Sequence, residues 1–192
     1  MKELVIVHGT EGNPEENWFP WLAEEVRKRG HRATVPSFPT PEGQQLDRWL
    51  AVLDEEVGEL TPDTVLVGHS LGVGFLLRAL ERSNTQVAAS FLVSGFIGEL
   101  GLDAFDPLNA PFFEDEFDWD RIRKSSNVFQ AYLGSDDPYV PRAKGEELAA
   151  HLEIPLIVID GGGHLNTSAG FGSFEQLLDD ISPILESGDA NG

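Results

Sequence analysis

Short, continuously apolar runs alternate with longer amphipathic runs along almost the whole chain. Continuous apolar runs of this length indicate strands buried on both faces, which is typical of a parallel sheet covered by helices on each side. The pattern predicts strands at 4–7, 33–35, 64–67, 87–93, 128–133 and 156–159, and helices at 16–29, 44–56, 71–81, 142–151 and 173–185. We therefore expect an α/β fold, a single-domain three-layer α/β/α sandwich with a mostly parallel sheet.

The length of 192 residues suits one domain with a full core. We assign this domain to residues 1–186 and a polar C-terminal tail to residues 187–192. The least regular stretch is 99–118, where Phe105, Leu108, Phe112, Phe113 and Phe117 lie among acids and prolines. It is either a cover over the core or part of a substrate pocket.

Composition excludes several classes of function. The formal net charge of −20 would repel phosphate backbones, so nucleic acid is not an expected partner. No apolar run approaches the roughly 20 residues that cross a bilayer, and the N-terminus lacks a signal-peptide core, so we expect no membrane partner and a cytoplasmic location. The absence of cysteine excludes disulfides, thiolate metal sites and a cysteine nucleophile. The acidic surface fits either a salt-adapted source or an acidic mesophile protein.

The segment Gly68-His69-Ser70-Leu71-Gly72 fits the pattern G-x-S-x-G and lies between a predicted strand and a predicted helix. A serine on such a sharp turn presents its hydroxyl at the end of a sheet, and the glycines allow the tight crossing of the backbone. By itself the pattern is weak, because any glycine-rich turn with a serine matches it. The flanking strand and helix make Ser70 the predicted nucleophile.

A base and an acid follow later strands. Serine needs a base, and the base needs a group that orients it. His164 comes after the last strand and Asp137 after the fifth, in the order Ser, Asp, His. The spacing D-x-x-V-P favours Asp137, while Asp136 and, more remotely, Asp160 remain alternatives. Either Asp136 or Asp137 could instead merely cap a turn, and His164 could be an ordinary loop histidine.

The oxyanion formed during acyl transfer needs two N–H donors. One is expected from Leu71, directly after the nucleophile, and the other from Thr10 or Glu11 in the loop after the first strand. His69 is expected to line the pocket or support it, and Phe112 and Phe113 are candidates for the substrate pocket. His8 is expected to shape the neighbouring loop.

Blocks of sequence along nearly the whole chain resemble the YdeN-like small serine hydrolases, which are related to the retinoblastoma-binding protein nine family within the α/β-hydrolase superfamily. These blocks are His8-Gly9-Thr10, Asn17-Trp18-Phe19-Pro20-Trp21-Leu22, Gly68-His69-Ser70-Leu71-Gly72, Val93-Ser94-Gly95-Phe96, Ser135-Asp136-Asp137-Pro138 with Val140-Pro141, and Gly162-Gly163-His164. The resemblance implies a compact hydrolase without a large lid domain, cofactor or metal. It also implies a triad of Ser70, Asp137 and His164.

The sequence thus predicts a carboxylesterase-like serine hydrolase that cleaves small esters or related acyl substrates through an acyl-enzyme on Ser70. The expected partner is a small acyl substrate, and the protein is expected to be a monomer or a small homo-oligomer. Amide or thioester cleavage and acyl transfer use the same triad and stay open. The alternative from another class is a non-catalytic binding protein on a hydrolase scaffold, because a fold alone does not establish activity.

Overall fold

The structure is a computed structural model, and it describes residues 1–187. Six strands form one sheet in the order β2-β1-β3-β4-β5-β6, and every neighbouring pair is parallel. The strands are β1 Glu3–Val7, β2 Arg32–Thr34, β3 Thr64–His69, β4 Ala89–Val93, β5 Phe129–Gly134 and β6 Leu156–Ile159. Because the strands run in one direction, the loops that follow them gather at one edge of the sheet.

Helices cover both faces of the sheet. Within residues 1–187 they are α1 Phe19–Lys28, α2 Leu46–Glu56, α3 Leu71–Arg82, α4 Asp106–Asn109, α5 Trp119–Lys124, α6 Arg142–Leu152 and α7 Glu175–Glu186. Short 3-10 turns occupy Ala110–Phe112 and Thr167–Ala169. None of the helices in this part of the chain is both long enough and apolar enough to span a membrane.

The side chains of β1 show how the layers are separated. Leu4 and Ile6 point into a core shared with α1 and α7, whereas Val5 and Val7 point into a core shared with α2 and α3. This alternation follows from the two-residue period of a strand. The predicted single-domain three-layer fold is confirmed, and its sheet is entirely parallel. Of the predicted C-terminal tail, residues 188–192 lie outside the described residues.

The structure differs from the sequence prediction mainly at element ends and in short helices. The first helix begins at Phe19 and not at Glu16, because Asn17 has a left-handed backbone with φ of 54°. The irregular stretch 99–118 contains α4 and a 3-10 turn, and α5 follows it. Asp118 caps α5 by accepting a hydrogen bond of 3.0 Å from the N–H of Arg121.

Candidate active site

Ser70 occupies the turn between β3 and α3 in a strained conformation, with φ of 57° and ψ of −125°. The turn is tight enough to exclude side chains at its glycines. A Cβ atom on Gly72 would lie 2.4 Å from the carbonyl oxygen of Val7, and one on Gly68 would lie 3.0 Å from the backbone of Gly72. Such strain persists only where the surroundings impose it, and it is concentrated at functional sites.

His164 and Asp137 form a buried pair. Nδ1 of His164 lies 2.8 Å from Oδ2 of Asp137, and both side chains are nearly inaccessible to solvent. The other carboxylate oxygen, Oδ1, accepts the N–H groups of Tyr139 at 2.9 Å and Val140 at 3.0 Å. Burial opposes ionisation of Asp137, but the hydrogen bond and charge of His164 and these two N–H groups outweigh it, so the pKa of Asp137 lies below its usual value.

The two alternative acids make other contacts. Oδ1 of Asp136 accepts the N–H of Gly163 at 2.8 Å. Asp160 is exposed, and its Oδ1 accepts the hydroxyl of Ser135 at 3.3 Å. Of the three candidates it is therefore Asp137 that lies against the imidazole ring of His164.

Ser70 and His164 line the same pocket at the edge of the sheet. Within residues 1–187 no hydrogen bond joins Oγ of Ser70 to the ring of His164. Hydrogen bonds between a nucleophile and its base are often long in a free enzyme and tighten when substrate binds. The structure thus brings Ser70 and His164 to one cavity without a direct hydrogen bond between them.

The backbone that carries His164 is held by two ring donors from distant parts of the chain. Nε2 of His69 lies 2.9 Å from the carbonyl oxygen of His164, and Nε1 of Trp18 donates to the carbonyl of Leu165 at 2.9 Å. Burial, with a smaller contribution from the nearby His164, lowers the pKa of His69 to about 3. The ring of His69 is therefore neutral at pH 7, and Nε2 carries the proton that the carbonyl accepts.

The loop after β1 lies directly against Ser70. A Cβ atom on Gly9 would be 2.8 Å from Cβ of Ser70, so this approach requires glycine. The N–H of Glu11 donates to Oγ1 of Thr40 at 2.7 Å, whereas the N–H groups of Thr10 and Leu71 have no acceptor among the described residues. Of the two alternatives that the sequence leaves open, Thr10 is therefore the one with a free amide.

His8 lies behind this loop and is completely buried. Its Nε2 accepts the N–H of Phe38 at 3.1 Å, so its Nδ1 carries the proton and donates to the carbonyl of Gly9 at 2.9 Å. Burial lowers the pKa of His8 despite this backbone hydrogen bond. A neutral imidazole thus connects the loop at Gly9 to the chain at Phe38.

Comparison with known families decides the class of protein. The sequence matches the family described as Serine hydrolase over residues 4–182. The chain belongs to the serine hydrolase family.

Individual hydrolases match this chain over nearly its whole length. The chain is 32% identical to the hydrolase YdeN of Bacillus subtilis over 181 residues, which are 93% of each chain. The crystal structure of the ydeN gene product superimposes with a TM-score of 0.88, at 29% identity, over 97% of this chain and 100% of the other. The serine hydrolase RBBP9 of Rattus norvegicus is 24% identical over 186 residues, or 95% of each chain.

The pocket of the hydrolase has a volume of about 700 Å³. Its lining includes the side chains of Phe96, Leu100, Phe105 and Tyr139. It also includes residues of the loops around Asn17 and Thr167, which a hydrogen bond of 3.0 Å joins. A cavity lined by both apolar and polar residues can accept a small molecule that has apolar and polar groups.

Two of the three predicted pocket side chains lie elsewhere. His69 lines the pocket, but Phe112 and Phe113 do not. Phe112 is fully buried, with its ring 4.9 Å from that of Trp49. Phe113 fills the space above Gly74, where a Cβ atom would lie 2.6 Å from its ring. The aromatic residues that the 94–118 segment contributes to the pocket are instead Phe96 and Phe105.

The sequence does not predict the roles of several residues around the site. Gln44 and Asn109 are buried beside Thr10, and Trp18 anchors the loop of His164. Trp18 stands in a sequence block that the resemblance identifies, but its N–H partner is 147 residues away. A single glutamine before a helix and a single asparagine in an irregular stretch form no pattern.

Proposed function

We propose that the protein is a carboxylesterase-like hydrolase in which Ser70 is the nucleophile, His164 the general base and Asp137 the residue that orients His164. One observation carries the proposal: His164, hydrogen-bonded to the buried Asp137, lines the same pocket as a serine held in a strained turn. A strained serine alone could be structural, and a His–Asp pair alone could be an ordinary buried pair. Their meeting in one cavity favours acyl transfer.

The proposed reaction begins with attack of Oγ of Ser70 on the ester carbonyl carbon, while Nε2 of His164 takes the hydroxyl proton. Asp137 keeps the proton of Nδ1 in place and stabilises the imidazolium that forms. The N–H groups of Leu71 and Thr10 donate to the oxyanion. The carbon–oxygen bond to the alcohol then breaks, and His164 gives its proton to the departing oxygen.

The acyl-enzyme is resolved by water. His164 takes a proton from the water, whose oxygen attacks the acyl carbon and forms a second tetrahedral intermediate at the same donors. Collapse of this intermediate releases the carboxylic acid and returns the proton to Oγ of Ser70. Esters are the proposed substrates because the alcohol of an ester is a better leaving group than the amine of an amide.

The proposal is tested by covalent labelling with a fluorophosphonate and by hydrolysis of p-nitrophenyl acetate. We expect the wild-type protein to react with both, and we expect Ser70→Ala to lose labelling and about 10³-fold or more of kcat. The matched control is Ser37→Ala, at an exposed serine, which should behave like the wild type. Equal labelling of wild type and Ser70→Ala would refute the role of Ser70. Failure of the wild type to react with the label or any ester would favour a non-catalytic binding protein.

The type of acyl substrate requires a second comparison. Matched ester, amide and thioester substrates of the same acyl group separate the three kinds of cleavage, and we expect the ester to give the highest kcat/KM. Product that depends on an added alcohol or amine would instead identify an acyltransferase.

A further inference from the structure

Side-chain hydrogen bonds connect Thr10 to two buried amides. The hydroxyl of Thr10 donates to Oδ1 of Asn109 at 2.6 Å, and Nε2 of Gln44 donates to Oγ1 of Thr10 at 3.1 Å. Nε2 of Gln44 also donates to the carbonyl oxygen of Leu108 at 2.8 Å. Thr10 is thereby tied both to the loop before α2 and to the end of α4.

The same network also includes the backbone N–H of Glu11, the residue that follows Thr10. Oγ1 of Thr40 accepts the N–H of Glu11 at 2.7 Å and donates to Oε1 of Gln44 at 2.6 Å. Because Oε1 of Gln44 accepts while Nε2 donates to a carbonyl, only one orientation of this amide satisfies the network. The hydrogen bonds therefore hold both the side chain of Thr10 and the peptide after it.

The peptide before Thr10 is fixed separately. The carbonyl oxygen of Gly9 accepts from Gly12 N–H at 3.1 Å and from the ring of His8 at 2.9 Å. In a trans peptide the N–H points away from the carbonyl of the same unit, so these bonds also direct the N–H of Thr10. Since that N–H has no acceptor among the described residues, it is available to a ligand next to Ser70.

Burial makes the network hard to break. Gln44 is 2% exposed and Asn109 is 3% exposed. An amide at such a position that lost its partner would be left without water to replace it, so the network favours one arrangement of the loop. Gln44 and Asn109 come from segments that supply neither the nucleophile, nor the base, nor the acid.

We propose that Gln44 and Asn109 are positioning residues that hold Thr10 where its N–H stabilises the oxyanion. This inference rests on the proposed serine hydrolase function. The N–H of Asn109 also donates to the carbonyl of Phe105 at 2.9 Å, so the network connects Phe105, which lines the pocket, to the proposed oxyanion donor. The N–H of Thr10 contributes more in the transition state than in the complex with bound substrate, because the negative charge on the oxygen develops only in the transition state.

The first test replaces Gln44 by methionine, which has a similar length and cannot make these hydrogen bonds. We expect Gln44→Met to lower kcat for p-nitrophenyl acetate about 10- to 100-fold, with KM within about twofold, since a displaced oxyanion donor weakens the transition state selectively. The matched control is Gln45→Met, at the adjacent and exposed glutamine, which should retain wild-type kcat. Wild-type kcat in a folded Gln44→Met protein would overturn the proposal.

A second pair of variants acts at Thr10 and keeps its backbone N–H. Thr10→Val removes the hydroxyl, and Thr10→Ser preserves it. We expect Thr10→Val to lose kcat in the way that Gln44→Met does, and Thr10→Ser to recover most of it. If Gln44→Met does not fold, this pair decides the question, and equal kcat in Val and Ser variants would contradict the proposal.

A transition-state mimic distinguishes positioning from a merely structural role. We expect Gln44→Met to weaken inhibition by a trifluoromethyl ketone, which forms an oxyanion on the serine, by the same factor as kcat/KM. A purely structural role would lower the Tm and leave this inhibition unchanged. If wild type and Ser70→Ala react equally with fluorophosphonate, the proposed function fails. A Ser70-dependent enzyme that is insensitive to Gln44→Met disproves only the positioning role.

Discussion

Individual residues around the pocket adopt backbone conformations that side chains disfavour. Glu11, Ser70 and Leu165 have positive φ angles of 57°, 57° and 48°. Ser70 is the proposed nucleophile. Glu11 follows Thr10, whose amide is a proposed oxyanion donor, and Leu165 follows His164, the proposed base. Conformations of this kind cost free energy, so the neighbouring hydrogen bonds and packing must maintain them. For Leu165 the indole of Trp18 supplies one such bond.

The neighbouring aspartates Asp136 and Asp137 provide a matched pair for testing the orientation of the base. We expect Asp137→Asn to lower kcat/KM by about 10²- to 10⁴-fold, because an amide donor in place of the carboxylate favours the wrong tautomer of His164. We expect Asp136→Asn to remain within about threefold of wild type, since its Oδ1 can still accept the N–H of Gly163. Ester hydrolysis at saturating and limiting substrate measures both, and a larger loss in Asp136→Asn would reverse the assignment.

The sequence predicts residues whose local pattern is distinctive, and it does not predict partners formed only by folding. Ser70 is visible through its glycines, and Asp137 through the Val-Pro that follows. Gln44 is not visible, because its contacts with Thr10 and Asn109 join positions 34 and 65 residues apart. The prediction that Phe112 and Phe113 line the pocket is wrong, because composition does not say which aromatic residues of an irregular stretch pack against Trp49 and Gly74 and which reach the pocket.

Among the elements, the helix α3 has two structural roles. Its first turn follows Ser70, and its Arg78 holds the segment that covers this side of the sheet. Nε of Arg78 donates to the carbonyl of Phe112 at 2.9 Å, further guanidinium donors bind the carbonyls of Asp115 and Glu116, and the guanidinium carbon lies 3.7 Å from the centre of the Phe117 ring. One helix thus follows the proposed nucleophile and also holds residues 112–117.

Two arginines on α3 allow this role to be tested. Arg78 is 7% exposed, so Arg78→Met would leave several carbonyl groups without donors and should cost about 2–4 kcal/mol of unfolding free energy. Arg82 forms an exposed pair with Asp54, and Arg82→Met should cost less than about 1 kcal/mol. Urea denaturation of both variants measures the difference. Equal losses of unfolding free energy would show that the buried contacts of Arg78 stabilise the fold no more than the exposed pair of Arg82 does.

At this scale the sequence is a good guide wherever an element is long and its apolar pattern continuous. β3 is predicted because residues 64–67 form a continuous β-branched and apolar run, and the structure buries the whole strand. α2 is predicted because its apolar positions follow the helical period. The short helices α4 and α5 have too few turns for a period to show. Asp118, which caps α5, is a local signal for the start of this helix. A prediction based on apolar residues alone does not use it.

For the whole molecule, two buried histidines link stability to pH. His69 has a pKa of about 3 in the folded protein and about 6.5 in an unfolded chain. The unfolded state therefore binds more protons below pH 6.5, and stability falls as the pH decreases towards 3. Burial lowers the pKa of His8 as well, which adds a change of the same sign. Asp137, with its lowered pKa, contributes stability that is lost only in stronger acid.

We expect His69→Gln to reduce the pH dependence of unfolding by about 1.4 kcal/mol per pH unit between pH 6 and pH 4, since glutamine does not titrate. Urea titrations across this range give the slopes for wild type and variant. Protonation of surface carboxylates weakens the repulsion due to the net charge of −20 in both proteins, so the difference between them isolates His69. Identical slopes would show that His69 is not buried in its neutral form.

The bond from Trp18 to Leu165 has a consequence for protein synthesis. It joins positions 147 residues apart, and the loop that it holds carries the proposed base. A growing chain would expose Ser70 and its turn long before the residues around His164 leave the ribosome. The proposed activity would therefore arise only when synthesis is almost finished, because until then Ser70 has no base to activate it.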